Sequence, residues 1–313
     1  MTVRVLVTGA GGPAGVCAIR GLAPRFGVVA VDADPGAVGL RLAGASRVVP
    51  RADQDGFIEA LCATAIETGA TVLLPTVAEE LVVLARHRAQ LDAAGLVAWL
   101  PDPDAVERCT DKMRFFVALR DAGVPTPATG LGCADGVPGP WIVKPRSGRG
   151  SRDVYAVDDP STLAVLLARV GDPIVQHRLE GREFTADALV DDDATVLTVC
   201  PRWRLETKAG ISTKGLTFRD AEVESVVAAA LAAVGLVGPA NVQGFVAPTG
   251  EVTVMEINPR LSGGLALTQH AGADLLGAYV DRALGRRPDP QRLVARPGVL
   301  MVRHFEEVFE TCG

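Results

Sequence analysis

Strand and helix patterns alternate through the first hundred residues of this 313-residue chain, and that alternation restricts its fold more than any other feature. Apolar runs typical of buried strands lie at 3–9, 27–34, 71–76 and 96–101. Helix-period patterns lie between them, at 13–23, 54–69 and 78–95. Repeated strand–helix–strand units predict a parallel sheet with helices on both faces, because a parallel crossover needs a helix-length connection.

The pattern changes around a Pro- and Gly-rich segment at 124–140, which we interpret as a linker or loop, after short helices that open at 102–106 and 110–123. Further strands are predicted at 141–145, 154–158, 173–179, 182–191, 194–205, 240–248 and 251–259. Helices are predicted at 161–172, 220–235 and 270–285. The strands after 173 follow one another closely, which predicts an antiparallel sheet.

Composition excludes several classes of protein. With 48% hydrophobic residues the chain is not disordered, and its net charge of −6 argues against a broad nucleic-acid surface. We expect no membrane span, since no window of about 18 apolar residues lacks charge, and no signal peptide, since the chain starts as a strand and a glycine turn. Six cysteines without a C-x-x-C pair predict reduced thiols in the cytoplasm, and the four histidines lack zinc-ligand spacing.

A glycine-rich turn, Gly9 to Gly15, joins the first predicted strand to the first helix, and Asp32 ends the second strand. Such a turn presents backbone N–H groups to an anion, and the acid lies where a dinucleotide fold binds ribose. An NAD(P)-dependent oxidoreductase is therefore one hypothesis, and glycines that only allow tight packing are an equal alternative. Against the oxidoreductase, neither Tyr155 nor Tyr279 begins a Tyr-x-x-x-Lys pair.

The segment WIVKPRSGRGSRDVY places Lys144 at the end of a strand, before a loop of Gly, Ser and Arg at 146–153. Loop amides can wrap a triphosphate while the lysine neutralises it, so we interpret the loop as a flexible phosphate cover. It is not a Walker A loop, because G-x-x-x-x-G-K-[ST] is absent. A simple polar hairpin is the alternative.

The segment VQGFVAPTGEVTVMEINPRLSGG predicts a hairpin with Gln243 on one strand and Glu256 and Asn258 on the next. Strand alternation puts Glu256 and Asn258 on one face, and Gln243 can lie across from them. Three oxygen donors, one of them a carboxylate, suit Mg²⁺, and Arg260 follows at once to bind phosphate. A polar outer face of an edge hairpin is the alternative.

Taken in order, these segments resemble the ATP-grasp superfamily, most nearly a single ATP-grasp unit of the carbamoyl-phosphate synthase large subunit and its stand-alone carboxylate–amine ligase relatives. The motifs that carry the resemblance are the Gly-rich start, Asp111-Lys112, IVKP with its loop, VQHRLEGREFTADALV, ANVQGF and MEINPRLSGG. The resemblance implies α/β and α+β architecture: a Rossmann-like parallel sheet at 1–105, then a two-subdomain ATP-grasp fold. Its lid subdomain would span 106–178 and its catalytic subdomain, with the metal-binding hairpin, 179–313.

The resemblance also implies roles for individual residues. The residues that would bind the nucleotide are Lys112, Lys144, Ser147, Gly148, Gly150, Ser151, Gln176, His177, Leu179 and Glu183. The ligands of one or two Mg²⁺ ions, which Mn²⁺ can replace, would be Gln243, Glu256 and Asn258. The catalytic residues would be Lys144, Lys208 and Arg260. Substrate contacts fall to Arg202, Arg204, Lys214, Ser262, Gly263 and Gly264. The only four lysines among 31 basic residues all fall in or beside this set.

The activity that follows is an ADP-forming carboxylate ligase using ATP and Mg²⁺. A small acid becomes an acyl phosphate, and an amine or similar nucleophile displaces the phosphate; the arginine- and alanine-rich composition fits bacterial secondary metabolism. The expected partners are these small molecules, not nucleic acid or membrane, and a homodimer is compatible with the sequence. A catalytically silent ATP-binding module and the NAD(P) enzyme remain the alternatives.

Overall fold

The computed structural model describes residues 3–148, 152–208 and 210–310, and its first hundred residues contain a four-stranded parallel sheet in the order β3-β2-β1-β4. The strands are β1 Arg4–Val7, β2 Gly27–Asp32, β3 Ala45–Val48 and β4 Val72–Leu74. The helices are α1 Pro13–Leu22, α2 Gly39–Leu42, α3 Phe57–Thr68, α4 Ala78–Arg86 and α5 Arg88–Ala93. Val5, Leu6 and Val7 are fully buried, as expected for a parallel strand covered on both faces.

Two helices and a small antiparallel sheet follow. The helices are α6 Pro103–Thr110 and α7 Lys112–Asp121. The sheet has the order β5-β8-β6-β7, with β5 Thr129–Leu131, β6 Trp141–Pro145, β7 Tyr155–Val157 and β8 Pro173–His177, and α8 Pro160–Arg169 packs against it. We call this unit the small sheet.

The central sheet is antiparallel and has six strands in the order β13-β12-β9-β10-β11-β14. They are β9 Arg182–Val190, β10 Val196–Lys208, β11 Ile211–Thr217, β12 Gly238–Val246, β13 Val252–Asn258 and β14 Leu300–Val302. The remaining helices are α9 Ala221–Val234, α10 Leu265–His270 and α11 Leu275–Ala283, with a 3-10 turn at Pro290–Leu293. The architecture confirms the predicted α/β and α+β class.

Some predicted elements are wrong in detail. The apolar run 96–101 is not a strand, because only Val97 forms a bridge, to Val72. The predicted helix 78–95 is interrupted at His87, whose backbone leaves the helical region. The predicted helix 270–285 begins only at Leu275, after Gly272 at φ 113° and with Asp274 accepting a hydrogen bond from the Gly277 N–H.

The parallel sheet and the central sheet share one hydrophobic core. Val5 and Leu22 of the first sheet's layer pack in the same cluster as Leu189 of β9 and Leu276 of α11. The Tyr279 hydroxyl donates a 2.8 Å hydrogen bond to the Leu73 carbonyl oxygen, fixing α11 against β4. The two units are therefore held together by packing as well as by chain connection.

A bilayer-spanning helix is not found in the described part of the chain: no helix there is both long enough and apolar enough.

Candidate functional site

Two lysines from the small-sheet side and a carboxylate from the central sheet lie within electrostatic range of one another. Lys144 on β6 is 6% exposed, and burial lowers the pKa of its amine to about 8, with the charge of Glu256 opposing the shift and Lys112 adding to it. Burial also lowers the pKa of Lys112, again opposed by Glu256. Three residues distant in sequence, on α7, β6 and β13, thus form one charged centre.

Asp111 explains how Lys112 is held at this centre. Its carboxylate caps α7 by accepting from the Met113 N–H at 2.9 Å, and it also binds the Arg146 guanidinium, with Nη2 to Oδ2 at 2.7 Å. Lys112 Nζ donates to the carbonyl oxygens of Arg146 at 3.4 Å and Gly148 at 3.3 Å. The Asp111-Lys112 pair therefore anchors the start of the predicted phosphate loop.

The described part of that loop is exposed. Ser147 and Gly148 follow β6 on the surface, and Gly148 has φ 148°, a backbone region that L side chains rarely adopt. The predicted nucleotide ligands Gly150 and Ser151 lie outside the described residues.

The three predicted metal ligands lie on adjacent strands. Gln243 of β12 pairs in register with Glu256 of β13, and Asn258 Nδ2 donates to Glu256 Oε1 at 2.8 Å. Arg260 Nη2 donates to Asn258 Oδ1 at 3.2 Å. One carboxylate and two amide oxygens are therefore gathered in the arrangement that the sequence predicted, and this set fits Mg²⁺.

A β-bulge decides which side of the central sheet Glu256 and Asn258 occupy. The register between β12 and β13 shifts between Gln243 and Gly244. Without it, Val254 and Glu256 would point to the same side; with it, Val254 and Ile257 both enter the core while Glu256 stays partly exposed beside Asn258.

Arg204 of β10 contacts one of the three predicted metal ligands. Its Nη1 donates to Glu183 Oε1 at 2.6 Å and to Gln243 Oε1 at 3.2 Å, and its Nη2 donates to the Gly210 carbonyl oxygen at 2.9 Å. Burial raises the pKa of Glu183, Arg204 opposes that shift, and the charge of Glu256 adds to it. Glu183, the predicted ribose ligand, is therefore part of the same charged cluster as Glu256.

Arg202, predicted to contact substrate, is instead buried inside the protein. It is 3% exposed, and its Nη2 donates to Asp187 Oδ1 at 2.8 Å and to Ser262 Oγ at 3.0 Å. Ser262 Oγ also accepts from the Gly264 N–H at 3.1 Å, and a Cβ at position 264 would overlap the Arg202 guanidinium. The structure thus uses Arg202, Ser262 and Gly264 to hold the loop after Arg260.

Gly263 has its own contacts in that loop. Its carbonyl oxygen accepts from the Arg303 guanidinium, and its Cα side lies near Pro13 at the start of α1. The loop therefore lies between the central sheet and the Gly-rich turn of the parallel sheet.

The predicted adenine hinge, Gln176 to Leu179, comprises the end of β8 and the start of the connection to β9. Gln176 is buried and its Nε2 donates to Thr129 Oγ1 at 2.9 Å, while the His177 ring nitrogen lies 2.9 Å from the Pro138 carbonyl oxygen. The His177 N–H donates to the Ala128 carbonyl oxygen at 2.9 Å, and Leu179 is partly buried. The side chains of Gln176 and His177 thus serve the small sheet.

Lys208 and Lys214 lie on the exposed hairpin of β10 and β11. Lys214 Nζ is 2.8 Å from Glu206 Oε2, and hydrogen bonding from Lys214, with a smaller contribution from the charge of Lys208, lowers the pKa of Glu206. Both lysines therefore have Glu206 as a charged neighbour.

In the Gly-rich turn, Asp32 and the glycines contact backbone atoms of the same segment. Asp32 accepts from the Gly11 N–H at 2.7 Å through Oδ2 and from the Asp34 N–H at 2.9 Å through Oδ1. A Cβ at Gly15 would overlap the Gly9 carbonyl oxygen. These glycines and this acid therefore have a structural role, which argues against a dinucleotide site.

Asp187 and Asn241 form a buried polar cluster next to the site that was not predicted from the sequence. Asp187 is 1% exposed and accepts from Arg202, from Asn241 Nδ2 at 3.2 Å and from Thr268 Oγ1 at 2.6 Å. The signal was available: Asp187 lies four residues after Glu183 and Asn241 two before Gln243, so strand alternation puts them on the same faces.

Two family profiles match the chain, one for each half of this arrangement. A PylC-like N-terminal domain matches residues 5–98, and an ATP-grasp domain matches residues 109–264. The second match includes Lys112, Lys144 and all three predicted metal ligands.

Among curated proteins, similarity extends to larger chains. The carbamoyl phosphate synthase large chain of Thermomicrobium roseum is 27% identical over an alignment of 213 residues that covers 59% of this chain and 20% of that protein. An uncharacterized protein of Sinorhizobium fredii is 28% identical over an alignment of 225 residues that covers 60% of this chain and 44% of the relative. The chain thus spans only a fifth to less than half of these relatives.

Solved structures share the fold at low sequence identity. Biotin carboxylase from Campylobacter jejuni superposes with TM-score 0.72 at 17% identity, over 94% of this chain and 74% of the other. L-amino acid ligase from Bacillus licheniformis gives 0.72 at 16%, over 94% and 77%. N5-carboxyaminoimidazole synthetase from Staphylococcus aureus, complexed with ADP, gives 0.73 at 15%, over 92% and 78%.

Proposed function

Because the chain belongs to the ATP-grasp superfamily, with a PylC-like N-terminal domain before its ATP-grasp domain, we propose that it is an ADP-forming ligase that uses ATP to activate a small carboxylic acid. In this proposal residues 1–105 form the N-terminal domain, 106–178 the lid and 179–313 the catalytic subdomain.

The observation that carries the proposal is the meeting of Lys144, Lys112 and Glu256. Burial is the main cause of the lowered pKa of both amines, the buried Lys144 and the half-buried Lys112, and an anion that binds both would offset the cost of keeping them charged there. The carboxylate and amides on the facing hairpin are ligands for a cation, not an anion. A site that takes an anion on one side and a divalent cation on the other suits a metal–polyphosphate complex.

The cofactors are accordingly ATP and Mg²⁺, which ATP-grasp enzymes bind. Gln243, Glu256 and Asn258 would hold one or two Mg²⁺ ions, and Mn²⁺ would substitute. When bound, Mg²⁺ neutralises the triphosphate and the charge that develops during phosphoryl transfer.

The reaction begins when a substrate carboxylate oxygen attacks the γ-phosphorus of ATP. The new C–O–P linkage is an acyl phosphate, and the bond from the γ-phosphorus to the bridging oxygen breaks to release ADP. An amine then attacks the acyl carbon, inorganic phosphate leaves, and the amine loses one proton. The bond formed is an amide.

The protein's contribution is positioning and charge neutralisation. Lys144 and Lys112 bind the phosphates, and Arg260, beside Asn258, contacts the transferring group. The loop at 146–153 closes over the phosphates and keeps water from the acyl phosphate. Lys208 and Lys214 on their exposed hairpin, and Gly263 near α1, are proposed to contact the acid and the amine.

The partners proposed are therefore a small carboxylate and an amine. A homodimer is also proposed, because a structural neighbour, the biotin carboxylase domain of Hydrogenobacter thermophilus 2-oxoglutarate carboxylase, is described as a dimer.

A phosphate-release screen over amino acids and small acids, with and without amines, identifies the substrate pair. With an active acid labelled with ¹⁸O in its carboxylate, one labelled oxygen should appear in the released phosphate. ADP release without label transfer would contradict the acyl-phosphate step. Binding of NADH with no ADP release under any pair would favour the oxidoreductase, and ATP binding without turnover across the panel would favour a silent module.

A further inference from the structure

Two arginines donate hydrogen bonds to the side-chain oxygens of the two amides that are predicted to bind the metal ion. Arg204 Nη1 donates to Gln243 Oε1 at 3.2 Å, and Arg260 Nη2 donates to Asn258 Oδ1 at 3.2 Å. Both contacts involve the side-chain oxygen of the amide, which is the only atom of that side chain able to bind a cation. Each predicted amide ligand therefore already accepts a hydrogen bond from a cation.

Arg204 has further contacts within the site. Its side chain is 9% exposed, and its guanidinium also binds Glu183 at 2.6 Å and the Gly210 carbonyl oxygen at 2.9 Å. It thereby connects β9, β10, β12 and the turn before β11. Its Nε is buried with no hydrogen-bond partner, so this position is not fully satisfied.

A guanidinium and a divalent cation cannot share Gln243 Oε1 without strong repulsion. The ion would bind the amide oxygen at about 2.1 Å, which leaves it within a few ångströms of the guanidinium. At that separation like charges repel strongly even when the surroundings are polarisable. Arg204 must therefore release Gln243 before the metal takes it.

We propose that Arg204 is a resident cation that neutralises Glu183 and occupies Gln243 in the nucleotide-free chain, and that it gives up Gln243 when the metal–nucleotide complex binds. The inference rests on the proposed function for the identity of that complex. It assigns Arg204 a positioning role in place of the substrate contact that the resemblance implied.

The arrangement has a consequence for the order of binding. A free divalent ion brings two charges to a cluster that Arg204 already neutralises in part, so it binds weakly alone. The metal–nucleotide complex brings phosphates for Lys112 and Lys144 as well, and can offset the loss of the Arg204 contact. Nucleotide-free protein should therefore be a poor binder of the bare ion.

The test is a Mn²⁺ titration of nucleotide-free protein, followed by the electron paramagnetic resonance signal of free Mn²⁺. Arg204→Met removes the competing charge and keeps an apolar stem, so it should bind Mn²⁺ about tenfold more tightly than wild type. Arg204→Lys keeps the charge and should stay close to wild type. Equal or weaker binding by Arg204→Met would overturn the proposal.

Two further variants make the result specific. Arg219→Met removes an exposed arginine that pairs with Glu224, so it controls for the loss of one positive charge and should behave as wild type. In a Gln243→Leu background the gain in Mn²⁺ affinity from Arg204→Met should disappear. A gain that persists there would contradict the proposal that Arg204 releases Gln243 to the metal. If Arg204→Met does not fold, Arg204→Gln also removes the charge and is read in the same way.

These measurements need no turnover. A tenfold gain in Mn²⁺ affinity with no ADP release from any substrate pair would support the role of Arg204 while contradicting the ligase. ADP release with unchanged Mn²⁺ affinity would support the ligase while contradicting the role of Arg204.

Discussion

Two parts of this molecule carry polar residues at strand ends, and they differ in how those residues are satisfied. In the Gly-rich turn, Asp32 accepts two backbone N–H groups and the glycines allow backbone atoms to touch. On the central sheet and its facing small sheet, Lys144 and Lys112 lie close together, and Arg204 covers a predicted ligand oxygen. In the first region the acid is held by backbone N–H groups of the same turn, and in the second region a charged amine is held at the cost of its burial.

The difference shows how a binding site can be told from a packing motif. Both regions match known patterns in sequence, and both contain glycines, an acid and a helix start. A region whose donors and acceptors satisfy one another needs no ligand. Charged amines held away from water are costly, and a ligand of opposite charge is the simplest reason to keep them there.

The largest expected effect is on turnover. Lys144→Met should lower kcat by about 10²–10³-fold, because it removes a preorganised charge from the phosphates while leaving the side-chain stem to pack. ADP release under saturating ATP measures it, with Arg219→Met as the control. Retained activity would show that Lys144 is not needed for turnover, and the two regions would then not differ in function.

The free-energy cost of burying the charged Lys144 amine should lower the unfolding free energy of the protein. The pKa of the Lys144 amine is about 8 in the folded protein and 10.5 for an ordinary lysine, so the penalty is fully present below pH 8 and is lost as the pH rises to 10.5. At pH 7, Lys144→Met should exceed wild type by up to about 3 kcal/mol in unfolding free energy. Urea titrations at pH 7 and 10.5 measure the gap, and a gap of equal size at both values would refute the cost of burial.

The Gly-rich turn should respond in the opposite way, through stability alone. Gly15→Ala places a Cβ against the Gly9 carbonyl oxygen and should cost about 1–3 kcal/mol. Gly12→Ala is the matched control, because its Cβ would meet Gly9 O at an ordinary 3.5 Å. Thermal denaturation separates the two, and a lowered ATP affinity in folded Gly15→Ala would make the turn part of the site.

The smallest effect is expected at Asp32. Asp32→Asn keeps one side-chain oxygen for the Gly11 or Asp34 N–H and should cost about 1 kcal/mol. The KM for ATP should not change, and steady-state kinetics checks it. A KM that rises severalfold would show that the acid takes part in nucleotide binding after all.

Sequence reasoning reached the parts of the fold that depend on local patterns. The parallel sheet followed from strand–helix alternation, and the positions of Gln243, Glu256 and Asn258 on two neighbouring strands followed from their spacing. The strand predicted at 96–101 was wrong because the apolar run instead packs its Leu96 and Leu100 into the core of the first unit. Strands β3, β5, β11 and β14 were missed because their short or polar sequences carry no alternation signal, and β5 lies in the Pro- and Gly-rich segment that we interpreted as a linker or loop.

The remaining parts of the site depend on contacts between distant residues. Nothing in the local sequence shows that Arg204 binds Glu183 and Gln243, which are 21 and 39 residues away. The bulge that turns Glu256 away from Val254 is likewise set by pairing with β12. Which arginine is structural and which is available to a ligand is therefore decided by tertiary packing, and the individual site roles remain predictions.

The core shared by β1, α1 and α11 limits how this chain can be divided. A fragment ending at residue 105 would lose Leu276 and Tyr279, and would leave Val5 and Leu22 without their neighbours. Exchanging the N-terminal domain between relatives would therefore require α11 to be transplanted with it, or its contact surface to be redesigned. The unit of modular exchange in this protein is discontinuous along the chain.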